Sequence, residues 1–211
     1  MTRYLFLLLF SVPLLACATE RVSPESITLE KWVNTIITGK SNNGDRQYWR
    51  ALLKWSDECE SAFQGPAELH DADKVDTDSG LKVYPGQNKQ YILRVTCTLG
   101  SYQGYQHLYQ VSFDNNKITS KNLMFPVFKV ENNNKVSTEL SSEIWGNFLR
   151  ASNHKQMTVL NRYSGYGHCG TLTTYSIING EVTATKLLSQ PDCESKNASR
   201  DPEKWPGYSI P

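Results

Sequence analysis

Four cysteines, Cys59, Cys97, Cys169 and Cys193, are spread over a chain whose first residues read as an export signal. An exported chain meets an oxidising compartment, so an even set of cysteines is expected to close as two disulfides. Four cysteines allow three pairings. Cys59–Cys97 with Cys169–Cys193 is the expected one, because each bridge then closes a local loop. In the chain-entropy account each contributes about 3–4 kcal/mol. Structural zinc favours cysteines two residues apart, a spacing this chain lacks, so neither a metal nor a cofactor is expected.

The leader itself is distinct. Among the first sixteen residues Arg3 carries the sole charge, residues 4–10 are an unbroken apolar run, and residues 12–16 continue it. A positive start, a short apolar stretch and a small residue at the end describe a secretory signal. The run is shorter than the ~20 apolar residues of a membrane span. Leu14-Leu15-Ala16-Cys17 resembles the lipobox of bacterial lipoproteins. The resemblance implies loss of residues 1–16, diacylation of the Cys17 thiol and acylation of the new amino terminus. Two or more acyl chains anchor a protein stably, at about 0.8 kcal/mol per buried CH₂. Ala18 after the cysteine, where Asp is absent, implies an outer-membrane lipoprotein facing the periplasm. Ordinary secretion with an unmodified Cys17 is the alternative.

Cleavage there removes one of the 22 basic side chains and leaves 21 acidic ones, so the formal charge becomes zero. No basic patch is evident, and nucleic acid is not an expected partner. No second apolar segment is long enough to span a bilayer. The expected partners are the membrane, through the lipid anchor, and a protein or envelope polymer.

Residues 17–23 are expected to form a tether and residues 24–62 a helical pair. Ser23-Pro24-Glu25 is a helix start, with a cap, a proline at the first helical position and an acid in the first turn. Ile27, Leu29, Trp32, Val33, Ile36 and Ile37 follow at helical spacing until Gly39. The second helix is expected from Asp45 to about Ser56, with Trp49, Leu52 and Leu53 on one face. Asp71, Asp73, Asp76 and Asp78 lack EF-hand spacing and read as a solvated loop. Strands are expected over 91–98, 108–113, from Ile118, and over 125–130, 157–163, 171–178 and 181–188. Asn179-Gly180 is the strongest hairpin signal. The fold class is therefore α+β, mainly antiparallel β, with two N-terminal helices packed as one unit with a β domain over 80–211. Gly104, Tyr109, Val111, Ile118, Thr119 and Leu123 parallel Gly170, Tyr175, Ile177, Val182, Thr183 and Leu187. The offset is 66 residues for the first three pairs and 64 for the rest, which suggests a duplicated β-meander with a shortened turn.

Two stretches carry a family likeness. One is residues 91–97 ending in Cys97, followed by Gly100-Ser101-Tyr102-Gln103-Gly104-Tyr105. The other is Gly165-Tyr166-Gly167-His168-Cys169-Gly170, followed by Tyr175, Cys193 and Trp205-Pro206. With these the chain resembles a bacterial envelope family of uncharacterised function, domain-of-unknown-function family 1176, over residues 80–211. That family commonly has arginine and aspartate where Ser164 and His168 stand here, so its charged pair is absent from this chain. The resemblance implies a β fold, disulfides and an envelope location. It implies no activity.

Nothing in the sequence has the pattern of a catalytic machine. Adjacent strand residues point to opposite faces, so His168 and Cys169 make a poor ion pair, and a disulfide removes the thiolate. His70, His107, His154 and His168 are scattered. Tyr102, Tyr105, Tyr163 and Tyr166 stand beside glycines, and with His168 they are the candidate binding residues, since tyrosines on glycine-rich loops make good contacts with sugars and proteins. A non-enzymatic binding or interaction module is the expected function. The alternatives are an inhibitor of a secreted hydrolase such as lysozyme, acting through residues 163–166, and an envelope hydrolase with a histidine set against carboxylates or a serine in a deep cleft.

Overall fold

The computed structural model describes residues 43–60, 80–85, 90–98, 103–114, 117–131, 133–152, 156–195 and 198–211. The leader, Cys17, the first predicted helix, the aspartates of residues 71–78 and Tyr102 lie outside them. The described part is mainly antiparallel β, with one α-helix, α1 (Asn43–Leu53).

In α1, Arg46 and Trp49 lie one turn apart and are both buried, with Leu52 and Leu53 packed on the same core. The helix stops three residues short of the expected Ser56. Lys54 takes a left-handed conformation (φ 57°) and its N–H donates to the Arg50 carbonyl at 2.8 Å. Such a cap satisfies an orphaned carbonyl and turns the chain. Here it drives Trp55 into the core, and a 3₁₀ turn (Asp57–Glu60) then delivers Cys59.

Every strand read from the sequence forms: β2 (Gln90–Thr96), β3 (Tyr105–Asp114), β4 (Lys117–Asn122), β5 (Phe125–Val130), β9 (Gln156–Arg162), β10 (Gly170–Ile178) and β11 (Glu181–Gln190). Four others join them, β1 (Leu81–Pro85), β6 (Val136–Ser141), β7 (Glu143–Trp145) and β8 (Asn147–Ser152). One sheet runs β1-β2-β3-β4, with β7 beside the start of β3; a second runs β8-β9-β10-β11; β5 and β6 make a two-stranded ribbon. Both large sheets are thus simple meanders, each strand antiparallel to the next in sequence.

The side-chain period of two sorts these strands into layers. Leu93, Val95, Tyr109 and Val111 face α1, forming a core with Trp49, Trp55 and the Cys59–Cys97 disulfide. Ile92 and Leu108 face the other way, onto Met157, Val159, Tyr175, Ile177 and Leu187 of the second sheet, with Phe125 and Phe128 of the ribbon closing the side. The outer face of the second sheet, Leu160, Leu172 and Leu188, is covered by Trp205 from the C-terminal segment. The second disulfide, Cys169–Cys193, ties the start of β10 to the chain just past β11.

The two meanders meet through their hairpins. Asn179 and Gly180 both have positive φ, 51° and 78°, as a two-residue type I′ turn requires. That turn rests on β3 and β4, where Lys121 pairs with Glu181 at 2.7 Å. The turn is not the shorter one, however. Asp114 pairs with Lys117, and Ile178 with Glu181, so each hairpin leaves two residues between its last pair. The change of offset sits instead at the end of β3: Ile118 pairs with Phe113, two residues past Val111, whereas Val182 pairs with Ile177 itself.

Candidate functional site

The candidate tyrosines part company. Tyr105 is half-buried on β3, where its ring packs on Trp145 (centroids 5.2 Å apart) and edge-on to His107 (6.1 Å). Tyr163 keeps part of its ring exposed, yet burial raises its phenol pKa, partly offset by hydrogen bonds with the Val130 backbone and the Thr171 and Ser189 hydroxyls. Tyr166 stands out at 85% exposure at the tip of the 163–169 loop. His168 lies behind it, ring centroids 6.2 Å apart, with Nε2 2.5 Å from the Cys193 carbonyl. The loop is pinned at its base: Tyr163 N–H donates to the Cys169 carbonyl at 3.1 Å, and Ser164 Oγ lies 3.3 Å from Cys169 Sγ. Tyr163 and Trp145, the latter backed by Tyr105, line neighbouring pockets, and neither Tyr166 nor His168 lines them.

Together these pockets make a groove of two lobes. The larger, about 760 Å³, is lined by β5 together with Asn161, Tyr163 and Pro191. The smaller, about 400 Å³, lies between Gln103, β6, β7 and Asn161, and is bordered by Glu139, Glu143 and Trp145. Val127 and Asn161 line both, so the two lobes are neighbours. A pocket beneath reaches Tyr175, whose phenol burial pushes up to about 12. Its ring meets Phe125 edge-on at 5.1 Å and its hydroxyl donates to the Pro126 carbonyl at 3.1 Å, so the floor is fixed by packing and hydrogen bonding together.

The walls are held from the backbone outward. Gln103 uses its whole amide: Nε2 donates to Asn161 Oδ1 (3.0 Å) and to the Arg162 carbonyl (3.1 Å), while Oε1 accepts from Arg162 N–H (2.8 Å). It thereby completes the edge of β9 where β8 no longer pairs. In β7, Ile144 is buried, so Glu143 and Trp145 two residues apart present themselves on the opposite, exposed side. Trp145 is 47% exposed and is backed by Tyr105. Sequence reasoning missed Trp145, Glu139, Glu143 and Asn161. The available signal was a lone tryptophan one residue from an aliphatic one and two from an acid, a short alternating pattern that ends at Gly146.

A second cluster is chemically conspicuous. The sulfurs of Cys59 and Cys97 and a ring nitrogen of His107 lie within 4.8 Å of one another, all buried. With both sulfurs bound to each other the trio has little to offer a metal. His107 Nδ1 lies 3.0 Å from the Ser142 carbonyl, which can only accept, so Nδ1 carries the proton and the ring ties β3 to the β6–β7 link. Beside it, Arg46 Nε bonds both Glu60 oxygens (3.0 and 3.2 Å) and Nη2 bonds the carbonyls of Cys59 (2.9 Å) and Thr96 (3.0 Å). Burial lowers the Arg46 pKa, and the hydrogen bond and charge of Glu60 oppose that shift. This network clamps the helix to the sheet.

Compared with known proteins, the chain matches no family model, no curated protein and no solved structure.

Proposed function

We propose that this protein is an exported binding module, anchored at the outer membrane through lipid on Cys17, that holds an extended envelope polymer in the groove between Trp145 and Tyr163. The observation that carries the reading is Trp145: a large ring left 47% exposed, backed by Tyr105, on the rim of an open two-lobed groove. Exposed aromatic rings held rigidly lose little entropy on binding and dominate contact energies. The paired disulfides suit an oxidising compartment. The likeness of strand order in the two meanders suits an origin by internal duplication, and the likeness to domain-of-unknown-function family 1176 suits an envelope address. Purified protein should be retained on insoluble envelope polymer. Trp145→Ala should weaken that retention by about 2 kcal/mol, roughly 30-fold in Kd. Equal retention of the two proteins would remove the groove from the account.

A second reading rests on Tyr166. A side chain 85% exposed, on a loop that ends at a disulfide, has the shape of an inhibitor's protruding contact. In that reading the loop enters the cleft of a secreted hydrolase such as lysozyme. Excess protein should then slow lysozyme-driven clearing of a cell suspension, and Tyr166→Ala should restore the rate. Unchanged clearing in the presence of the intact protein excludes it.

A further inference from the structure

The charge around the groove narrows the ligand. Among the described residues that line the two lobes, Glu131, Glu139 and Glu143 stand against one cation, Lys129, and all four side chains are exposed. Three carboxylates against one ammonium repel anionic polymers such as phosphate-bearing or uronic glycans, and attract cations. The smaller lobe is the more selective of the two. There Glu143 and Trp145 project from the same side of β7, and Glu139 and Ser141 of β6 border the same space. An indole face attracts an ammonium group through its ring quadrupole, and a carboxylate alongside supplies a charge-assisted hydrogen bond. The ring is also flat and held in place by Tyr105, which suits the C–H face of a pyranose. Two neighbouring lobes suit more than one sugar unit.

On the reading that this groove holds an envelope polymer, we infer that the small lobe takes an amino-sugar unit of a glycan whose amine is free and protonated, stacked on Trp145 with its ammonium between Glu139 and Glu143. An N-acetylated sugar keeps the stacking and loses the charge. A lysine-rich peptide keeps the charge and loses the flat sugar face.

The test is titration calorimetry on the purified protein with oligomers of β-linked glucosamine and of N-acetylglucosamine of equal length, at about pH 6, where carboxylates are ionised. The glucosamine oligomer should bind at least 10-fold more tightly, and its advantage should shrink as salt is raised. In the double variant Glu139→Gln, Glu143→Gln the two oligomers should bind alike; both side chains are exposed, so the exchange leaves the core untouched. Trp145→Ala should weaken both. Equal binding of the two oligomers by the unaltered protein, or a preference that survives the double exchange, overturns the inference while leaving the groove in place. Tighter binding of oligolysine with the same dependence on Trp145 overturns the sugar class. If neither oligomer binds, or Trp145→Ala changes nothing, the groove reading itself fails.

Discussion

Replacing Arg46 with methionine is expected to cost about 3–5 kcal/mol of stability, although Arg46 borders no groove. Arg46 is 2% exposed and Glu60 5%. Their pairing is weak evidence of net stabilisation, since desolvating two ions offsets most of the attraction between them. Removing one partner is different, because the other charge stays buried without its counterion. Methionine would strand the Glu60 carboxylate, leaving it the Trp55 indole N–H, and would orphan the carbonyls of Cys59 and Thr96. It would also remove the guanidinium that lies 5.4 Å over the Trp55 ring. Urea unfolding should show the loss as a lower midpoint with an unchanged slope. The double variant Arg46→Met, Glu60→Leu should recover part of it, because the stranded charge is gone. A single-variant cost below about 1 kcal/mol would mean that the Cys59–Cys97 bridge and the packing of Trp49 and Trp55 fasten α1 to the sheet without help from the ion pair.

The same contrast explains how much could be read from the sequence. Strands facing a core on at least one side announce themselves through alternation: Leu93 and Val95 on one face of β2 with Ile92 on the other, Thr171, Thr173 and Tyr175 inward on β10. β6 gives no such signal, because four of its six residues are exposed. β7 is three residues long, too short for any period to register. The smaller lobe lies against those two strands, so the elements that make it are the ones local pattern hides, whereas the larger lobe lies on β5, which alternation did reveal. The internal likeness was legible for a related reason. Its two offsets differ by two residues, and a shift of two along a strand keeps every side chain on its face, so the alternation survives the change; Tyr109 and Tyr175 are both buried, the first in the core under α1 and the second between the sheets. The tyrosines misled where composition stood in for position. Tyr163 is only partly exposed, with burial raising its phenol pKa, and Tyr166 alone of the described candidates stands clear of the fold. Arg46 was invisible as a core residue because nothing local distinguishes a buried, paired arginine from a solvated one. Its partners, Glu60 and Thr96, are 14 and 50 residues away.

Gly170→Ala is expected to cost about 3 kcal/mol or more and to damage the groove as well. Gly170 opens β10 with φ +149°, a conformation that L side chains rarely adopt. A Cβ there would sit 2.1 Å from the Asn161 carbonyl oxygen and 2.9 Å from Arg162 Cα, both backbone atoms of β9. Backbone strain of this kind costs about 1–3 kcal/mol, and forcing apart a packed strand pair costs a similar amount again. The chain has few ways to yield, since Cys169 is fixed in a disulfide and the Gly170 carbonyl accepts from Ser189 Oγ at 2.9 Å. What yields is then the end of β9, and with it Asn161, which borders both lobes and receives the Gln103 amide. Gly207→Ala is the matched control: the nearest atom to its added Cβ is Leu188 Cδ2 at 3.8 Å, an ordinary contact, so its effect should stay within about 0.5 kcal/mol. Thermal melts of the two variants, run beside polymer retention, separate the possibilities. A Gly170→Ala protein that melts like Gly207→Ala and binds normally would show that the close approach of β10 to β9 does not hold the groove wall. A protein that melts far lower and binds weakly ties the disulfide-flanked strand start to the ligand site through Asn161.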